Sequence, residues 1–281
     1  MTNEKRIREI QELGYTERQA AFLCLAALHG GYFLRRQYNA FLGYQPGGSA
    51  EHLIEKEIRK GHVRAHESAY RTVIYHIGAK PFFEAIGEQN NRNRRRRQPY
   101  SIKIKLMGFD YVLAHREHHY LATETEKLNY SSGTLGIDLS YLPVRIYRSK
   151  DRRIKTARYF VDKFPLFLSG ALGAAPPVVS FCYIDGDARK PSGFDTYLQQ
   201  YRYLFARLES FRVVYVAADQ SMSPKAERIF SRLCGGSGRG PNGIPVDPEV
   251  RRLLHHFHDR RSVRTTADGV VRQAPTGPTQ R

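Results

Sequence analysis

The sequence predicts an α+β protein with two folded domains, and three observations predict it. Amphipathic helical patterns and one pair of extended segments occupy residues 1–88. After an arginine-rich stretch at 89–100, residues 101–234 follow the order α-β-β-β-α-β-α. Residues 235–281 are rich in glycine, proline and polar side chains, which bury too little surface to offset the entropy of ordering. This last part is predicted to be a flexible basic tail with one possible short helix at 248–261.

The first domain is predicted from local signals in the sequence. Thr16 opens the pattern T-E-R-Q, a capping box in which the threonine side chain accepts a hydrogen bond from the first turn of a helix. Ser49 is expected to cap a later helix, whose Leu53, Ile54 and Ile58 are expected to face the core. The predicted elements are helices at 4–13, 16–28, 33–42 and 49–60, extended segments at 62–65 and 72–77, and a helix that begins at Pro81.

The order of helix 33–42, turn 43–48, helix 49–60 and hairpin 62–77 resembles a winged helix-turn-helix. The resemblance implies that helix 49–60 enters the major groove of DNA and that the hairpin touches the backbone or the minor groove. Winged helices also serve as protein–protein modules, and the glutamates Glu51, Glu55 and Glu57 of this helix keep that alternative open. The candidate DNA-binding residues of this domain are Arg35, Arg36, Ser49, His52, Lys56, Arg64 and Arg71.

The charge of the chain indicates an anionic partner. The formal net charge is +18, and a field of that sign concentrates polyanions near the surface. Five arginines stand in six positions between the two domains, and the planar fork of arginine pairs with phosphate oxygens in two bonds. We therefore interpret residues 89–100 as a basic arm that contacts DNA, with a charged hinge as the alternative. The five are Arg92, Arg94, Arg95, Arg96 and Arg97.

The second domain is predicted from a helix at 101–128, extended segments at 143–148, 157–164 and 177–184, a helix at 194–211, a strand at 212–218 and a helix that begins at Ser223. This order resembles the core of restriction-endonuclease-like nucleases of the PD-(D/E)XK type. Nucleases of that type hold Mg²⁺ with carboxylates on adjacent strands and use a lysine to help activate water.

The resemblance to these nucleases implies a set of candidate catalytic residues. Asp162, on the second predicted strand, matches the first aspartate of the family pattern, and Gln199 with Tyr203 matches its Q-x-x-x-Y pattern. The third strand, VVSFCYID, departs from the family because it lacks the acid-x-lysine pair. The domain is therefore expected to be inactive. If it is a nuclease, the candidates are Glu124 or Glu126, Asp162, Asp185, Gln199 and Tyr203.

Other classes of protein are disfavoured. The sequence has no apolar run of about 18 residues and no apolar core of a secretion signal, so a cytoplasmic protein is expected. Cys24, Cys182 and Cys234 are too few and too far apart for a disulfide framework or a cysteine zinc site, and buried thiols are expected. Phosphate-binding P-loop and nucleophile-elbow motifs are missing.

The sequence thus predicts a non-enzymatic protein that binds double-stranded DNA. Its architecture resembles replication-relaxation-type proteins of bacterial mobile elements, which implies a regulator or a replication or transfer accessory factor of a plasmid or integrative element. A homodimer is possible because winged-helix proteins usually read two half-sites. The alternative is a magnesium-dependent DNA nuclease. Apart from Mg²⁺ in that alternative, no cofactor, metal site or small-molecule ligand is predicted.

Overall fold

The structure is a computed structural model that describes residues 1–43, 48–67, 72–148, 155–162, 164–169, 177–186, 193–234 and 254–256. In these residues helices and strands are both abundant, which confirms the predicted α+β class at this coarse level. No helix among them is long and apolar enough to cross a membrane.

In its described residues, the first half of the chain contains five α-helices and a small antiparallel sheet. The elements are α1 Asn3–Glu12, α2 Glu17–His29, β1 Tyr32–Phe33, α3 Arg35–Phe41, α4 Ser49–Arg59, β2 Val63–Glu67, β3 Val73–Ile77 and α5 Lys80–Ala85. The predicted helices are confirmed to within a few residues, and so is the capping box of Thr16 with Gln19. The two-residue strand β1 was not predicted. It pairs with β3 and gives the strand order β1-β3-β2.

Aromatic side chains form the core of this first half. Phe22 of α2 lies against Phe33, Tyr38 and Phe41, with ring centroids 4.8 to 5.5 Å apart. All but Phe41 are fully buried. These contacts fix α3 against α2.

Two predictions about α4 are wrong. The N-cap of the helix is Gly48, without a side-chain hydrogen bond, and Ser49 is the first helical residue. Leu53 and Ile54 are buried as expected, but Ile58 is 46% exposed. The buried face of the helix runs through Ala50, Leu53 and Glu57, which are three and four residues apart, the spacing of one helical face. Ile58, the next residue after Glu57, lies off this face. A glutamate therefore occupies the inward position that an isoleucine was expected to fill.

The second half of the chain contains a five-stranded mixed sheet and a separate two-stranded sheet. Its elements are α6 Pro99–Ala114, β4 His119–Tyr120, α7 Glu124–Leu128, β5 Val144–Arg148, β6 Lys155–Tyr159, β7 Leu166–Ser169, β8 Val178–Asp185, α8 Phe194–Phe205, β9 Phe211–Ala217, α9 Ser223–Cys234 and β10 Leu254–His256. The larger sheet has the order β10-β9-β8-β7-β4. In it β7 is antiparallel to β4 and β8, whereas β8, β9 and β10 are parallel.

Three predictions for this half need correction. The helix predicted at 101–128 ends at Ala114, because the chain then supplies edge strand β4 to pair with β7. The segments predicted at 143–148 and 157–164 are not strands of the main sheet, since β5 and β6 pair only with each other. Phe160 adopts a φ of 48°, a left-handed conformation that ends β6 and turns the chain toward the unpredicted strand β7.

The ends of the predicted elements also shift. The helix predicted at 194–211 stops at Phe205, because Phe211 begins β9 and its ring stacks on Phe205 at 4.4 Å. In the last part of the chain only Leu254–His256 is described, and it forms a strand where a helix was predicted. The remainder of the predicted tail lies outside the described residues. The three cysteines are buried free thiols, as predicted.

Helix α6 belongs to the cores of both halves. Its Phe109 and Val112 pack into the aromatic core of the first half, whereas Met107 and Tyr111 pack against the five-stranded sheet. The first half and the main sheet are therefore joined through a shared buried helix as well as through the chain between them.

Candidate nucleic-acid interface

The arginine-rich segment is attached to the body of the protein by one buried side chain. The Nδ2 of Asn93 donates hydrogen bonds to the carbonyl oxygens of Ala27 and Leu28, at 2.9 and 3.0 Å. Its Oδ1 accepts a bond of 2.8 Å from Nζ of Lys105 on α6. Because Asn93 is only 1% exposed, these bonds are shielded from water and hold the segment against the end of α2.

Backbone contacts complete the attachment. The carbonyl oxygen of Asn93 lies 2.9 Å from Nε2 of His76 on β3, and the hydroxyl of Tyr32 accepts a bond of 2.9 Å from the backbone N–H of Arg97. Burial lowers the pKa of His76, so the imidazole is neutral and donates to this carbonyl. The segment is thereby fixed to the small sheet as well as to α2.

Only two of the five clustered arginines are fully exposed. Arg92 donates to the hydroxyl of Tyr147 at 2.7 Å, and Arg94 donates to the carbonyl of Gln89 at 2.7 Å. A guanidinium nitrogen of Arg97 donates to the carbonyl of Arg92 at 3.2 Å. These three side chains are half-buried. The guanidinium groups that remain exposed at the surface belong to Arg95 and Arg96.

The outward face of α4 is the second part of the candidate interface. His52, Glu55, Ile58 and Arg59 are exposed along it. Lys56 is half-buried and its ammonium lies 5.1 Å from the centre of the Tyr15 ring. The side chain of Ser49 and the whole of Arg71 lie outside the described residues, and Arg64 is exposed on β2.

The acidic residues of α4 carry less free charge than the sequence indicates. Glu51 forms an ion pair with Arg35 of α3. Glu57 is fully buried, and this burial raises its pKa to about 7, although the hydroxyl of Tyr15 and the ammonium of Lys56 favour the charged form. Near neutral pH, Glu55 is therefore the glutamate of α4 that remains exposed and without an ion pair to a described residue.

Arg36 has an internal role. Its guanidinium donates two hydrogen bonds to the carboxylate of Asp110 on α6, at 2.7 and 2.6 Å. The buried Gln37 adds bonds from its Nε2 to Asp110 and to the carbonyl of Leu106. These contacts fasten α3 to α6, and they neutralise one of the arginines predicted to contact the DNA backbone.

The predicted nuclease residues lie in different settings. Asp162 is in a turn, not on a strand as predicted, because Phe160 has already ended β6. Its carboxylate accepts bonds of 2.6 Å from the hydroxyl of Tyr201 and 3.0 Å from the backbone N–H of Phe164. Asp185, buried at the end of β8, accepts a bond of 2.6 Å from the hydroxyl of Tyr215.

Two of the remaining nuclease candidates, Glu124 and Glu126, interact electrostatically with the buried ammonium of Lys127, as Asp162 does. Gln199 and Tyr203 lie on the exposed face of α8, whereas Tyr201 from its buried face is the residue that contacts Asp162. Glu124 accepts a bond of 2.8 Å from the backbone N–H of Tyr159 and lies 3.4 Å from Arg158. Within the described part of the chain, no group of three or more His, Cys, Asp or Glu residues is placed to hold a metal ion.

Glu126 has a structural role at the start of α7. It completes a capping box with Thr123 and forms an ion pair of 2.8 Å with the buried Arg6. Burial raises its pKa, but the bonds from Arg6 and from the backbone outweigh burial and leave the pKa below its usual range. This residue ties α7 to α1.

No family model, curated protein or solved structure matches this chain. Its function is therefore inferred from its own residues and their geometry.

Sequence reasoning missed two residues that organise the interface. Asn93, in the middle of the arginines, was given no role, and the carbonyls that it binds, of Ala27 and Leu28, lie 66 and 65 residues earlier in the chain. Tyr147 was assigned to a strand without a role, but it holds Arg92 through a hydrogen bond and a ring contact of 4.3 Å. Only the three-dimensional contacts distinguish these residues from their neighbours.

Proposed function

We propose that this protein binds double-stranded DNA without cleaving it, with α4 in the major groove. The observation that carries the proposal is the element order α2-β1-α3-α4-β2-β3 with the sheet order β1-β3-β2, which supports the winged helix-turn-helix resemblance. In that arrangement α4 is the second helix of the helix-turn-helix, the one that reads bases. The β2–β3 hairpin is the wing.

The charges around α4 support contact with DNA. Arg35 offsets Glu51, burial raises the pKa of Glu57 to about 7 and so reduces its negative charge at neutral pH, and His52 and Arg59 are exposed beside them. Arg95 and Arg96 add two exposed guanidinium groups on a segment that is fixed to the same domain. We propose that these two arginines contact phosphates and so set the position of α4 on the duplex.

In the second half, the order α6-β4-β7-β8-α8-β9, with α7, β5 and β6 inserted between β4 and β7, supports the resemblance to a nuclease fold. This order also favours the alternative function, a magnesium-dependent nuclease. Two observations support a binding role in preference to cleavage. The first is that Asp162 and Asp185 each accept a short hydrogen bond from a tyrosine hydroxyl. The second is that Glu124 accepts a hydrogen bond from the backbone N–H of Tyr159, the last residue of β6.

At the level of biology, we propose a cytoplasmic regulator or a replication or transfer accessory factor of a bacterial plasmid or integrative element. A homodimer that reads two half-sites would suit a winged helix. The resemblance to replication-relaxation-type proteins motivates this part of the proposal.

A single gel experiment tests the proposal. Labelled duplex DNA is incubated with the protein, with and without Mg²⁺, and both retardation and cleavage are followed. The proposal predicts retardation without cleavage, and weaker retardation for His52→Ala with Lys56→Ala. The matched control, Lys225→Ala with Arg232→Ala, removes two exposed cations from α9. Mg²⁺-dependent cleavage that is lost in Asp162→Ala would favour the nuclease, and no retardation at all would overturn DNA binding.

A further inference from the structure

The two-stranded sheet of β5 and β6, residues 144–148 and 155–159, is separate from the main sheet. We call it the basic ribbon. Among the described residues its strands pair only with each other, and seven of the ten residues in them are exposed. An isolated two-stranded sheet is marginally stable in water, so a ribbon of this kind gains from a partner.

The charge of the basic ribbon is exceptional for this chain. Its ten residues contain four Lys and Arg and no Asp or Glu, and the whole sequence from 144 to 159, which includes the connection between the strands, has a net charge of +6 out of +18 for the protein. In the described strands, Arg145 lies directly opposite Arg158, and Arg148 directly opposite Lys155. Like charges in directly opposed positions destabilise a sheet. A polyanion that lies along the ribbon would remove this repulsion.

The two faces of the basic ribbon differ. Arg145, Tyr147 and Arg158 lie on the face that is tied to the body, through Arg92 and Glu124. Ile146 and Arg148 lie on the other face, opposite Ala157 and Lys155. Ile146 is 61% exposed, and neither Arg148 nor Lys155 forms an ion pair with a described residue. The free face thus combines an aliphatic centre with a pair of cations.

The ribbon is held in place at its root. Glu124 accepts a bond from the backbone N–H of Tyr159 and lies 3.4 Å from a guanidinium nitrogen of Arg158. Arg92 stacks on Tyr147 at 4.3 Å and bonds to its hydroxyl at 2.7 Å. The basic ribbon is therefore attached, through Arg92, to the segment that carries Arg95 and Arg96.

We propose that the basic ribbon is a second DNA-binding element, which enters a groove of the duplex beside the site of α4. The proposal rests on the proposed function. The major groove admits a two-stranded ribbon, its cations would meet the phosphates on either side, and an aliphatic side chain such as Ile146 makes favourable contact with thymine methyl groups. Duplex DNA offers phosphates to the cations of the free face and apolar groups to its exposed isoleucine.

Photocrosslinking tests the proposal on the folded full-length protein. A benzophenone amino acid replaces Ile146 in one variant and Tyr203, which is 50% exposed on α8, in the control. The proposal predicts crosslinks to a random duplex from position 146 and not from 203. Equal crosslinking from both positions, or efficient competition by single-stranded RNA of the same length, would overturn insertion into a groove.

A charge variant gives an independent readout. Arg148→Ala with Lys155→Ala removes two cations, so the dependence of log K on log salt should become shallower by roughly 2, and affinity at low salt should fall about tenfold. If the wild type binds duplex and the variant has the same affinity and the same salt slope, the proposed DNA contact of the ribbon is wrong, but the role of α4 is not affected. If the variant with His52→Ala and Lys56→Ala still binds duplex but the ribbon variant does not, the result would contradict DNA binding by α4 and support DNA binding by the ribbon. Absence of binding by the wild type would overturn both.

Discussion

The backbone carbonyl of Asn93 occupies the space where residue 31 would carry a side chain. Gly31 has a φ of 77°, and a Cβ at this position would lie 2.6 Å from the carbonyl oxygen of Asn93. The arginine segment therefore fits against the turn after α2 only because residue 31 is glycine. This contact fixes where Arg95 and Arg96 emerge.

Gly31→Ala is expected to destabilise the protein strongly. The positive φ costs an alanine roughly 1 to 2 kcal/mol, and displacement of the Asn93 carbonyl adds about as much again. Gly43→Ala is the matched control, because Gly43 has a φ of 78° and no atom of a described residue lies within 4 Å of the added Cβ. Urea denaturation of the two variants measures the difference. Equal losses of stability would contradict the close contact between residues 31 and 93.

Asn93→Ala is expected to lower the free energy of unfolding by about 2 to 4 kcal/mol, since it removes two buried hydrogen bonds and leaves two carbonyls and the Lys105 ammonium without this partner. Asn90→Ala, at an exposed position of the same segment, should have little effect. Thermal denaturation followed by circular dichroism compares them. If both variants melt like the wild type, the segment is a loose linker and not a fixed arm.

Glu57 should make stability fall as pH rises. Its pKa is about 7 in the folded protein against 4.5 when solvated, so the folded state keeps a proton that the unfolded chain has released. This stabilisation is complete below pH 4.5 and is lost as pH rises through about 7. Relative to Glu57→Gln, the wild type should lose about 2 kcal/mol between pH 5.5 and 8.

The exposed Glu55 provides the comparison for Glu57, since Glu55→Gln should leave the pH dependence of the wild type unchanged. The comparison with Glu57→Gln is needed because burial lowers the pKa of His62, which reduces stability in the opposite direction, as pH falls. A pH profile of Glu57→Gln parallel to that of the wild type would show that Glu57 is ionised in the folded state.

Arg36 and Asp110 should be energetically coupled. The pair makes two hydrogen bonds, and the carboxylate is 11% exposed, so a double-mutant cycle with alanine is expected to give about 1 to 2 kcal/mol. Arg35 and Glu51 form the control pair, with side chains 60% and 43% exposed, and their coupling should be below about 1 kcal/mol. A coupling near zero for Arg36 and Asp110 would mean that α3 is not fastened to α6.

The sequence predicts correctly those elements that are specified by residues close together in the chain. The capping box at Thr16 places the start of α2, and the apolar pattern of VVSFCYID places β8. Strand β7, in contrast, is four residues long, and β4 is two residues long. Such short strands are defined by the partner they pair with, and the partner is distant in the sequence. The sequence therefore predicts segments 143–148 and 157–164 as extended, but not that they form a separate ribbon.

In the candidate site, too, the sequence predicts which residues are charged but not which of them are bound to other groups. The arginines of residues 92–97 are evident from charge alone, but their division into two exposed and three bonded side chains depends on Tyr147, Gln89 and the path of the backbone. The resemblance to PD-(D/E)XK nucleases predicts that Glu124 lies near a metal ion. The structure places it at the root of the basic ribbon, since the backbone N–H of Tyr159 is within reach of its carboxylate.

The most direct test of the DNA-binding account is fluorescence anisotropy with a labelled random duplex over a range of salt concentrations. The wild type is compared with Arg95→Ala/Arg96→Ala and with the control Lys225→Ala/Arg232→Ala, which removes the same charge from α9. If Arg95 and Arg96 contact phosphates, their removal should make the salt dependence shallower by roughly 2 and weaken binding about tenfold, whereas the control binds like the wild type. Equal affinity and equal salt dependence for all three proteins would contradict the account.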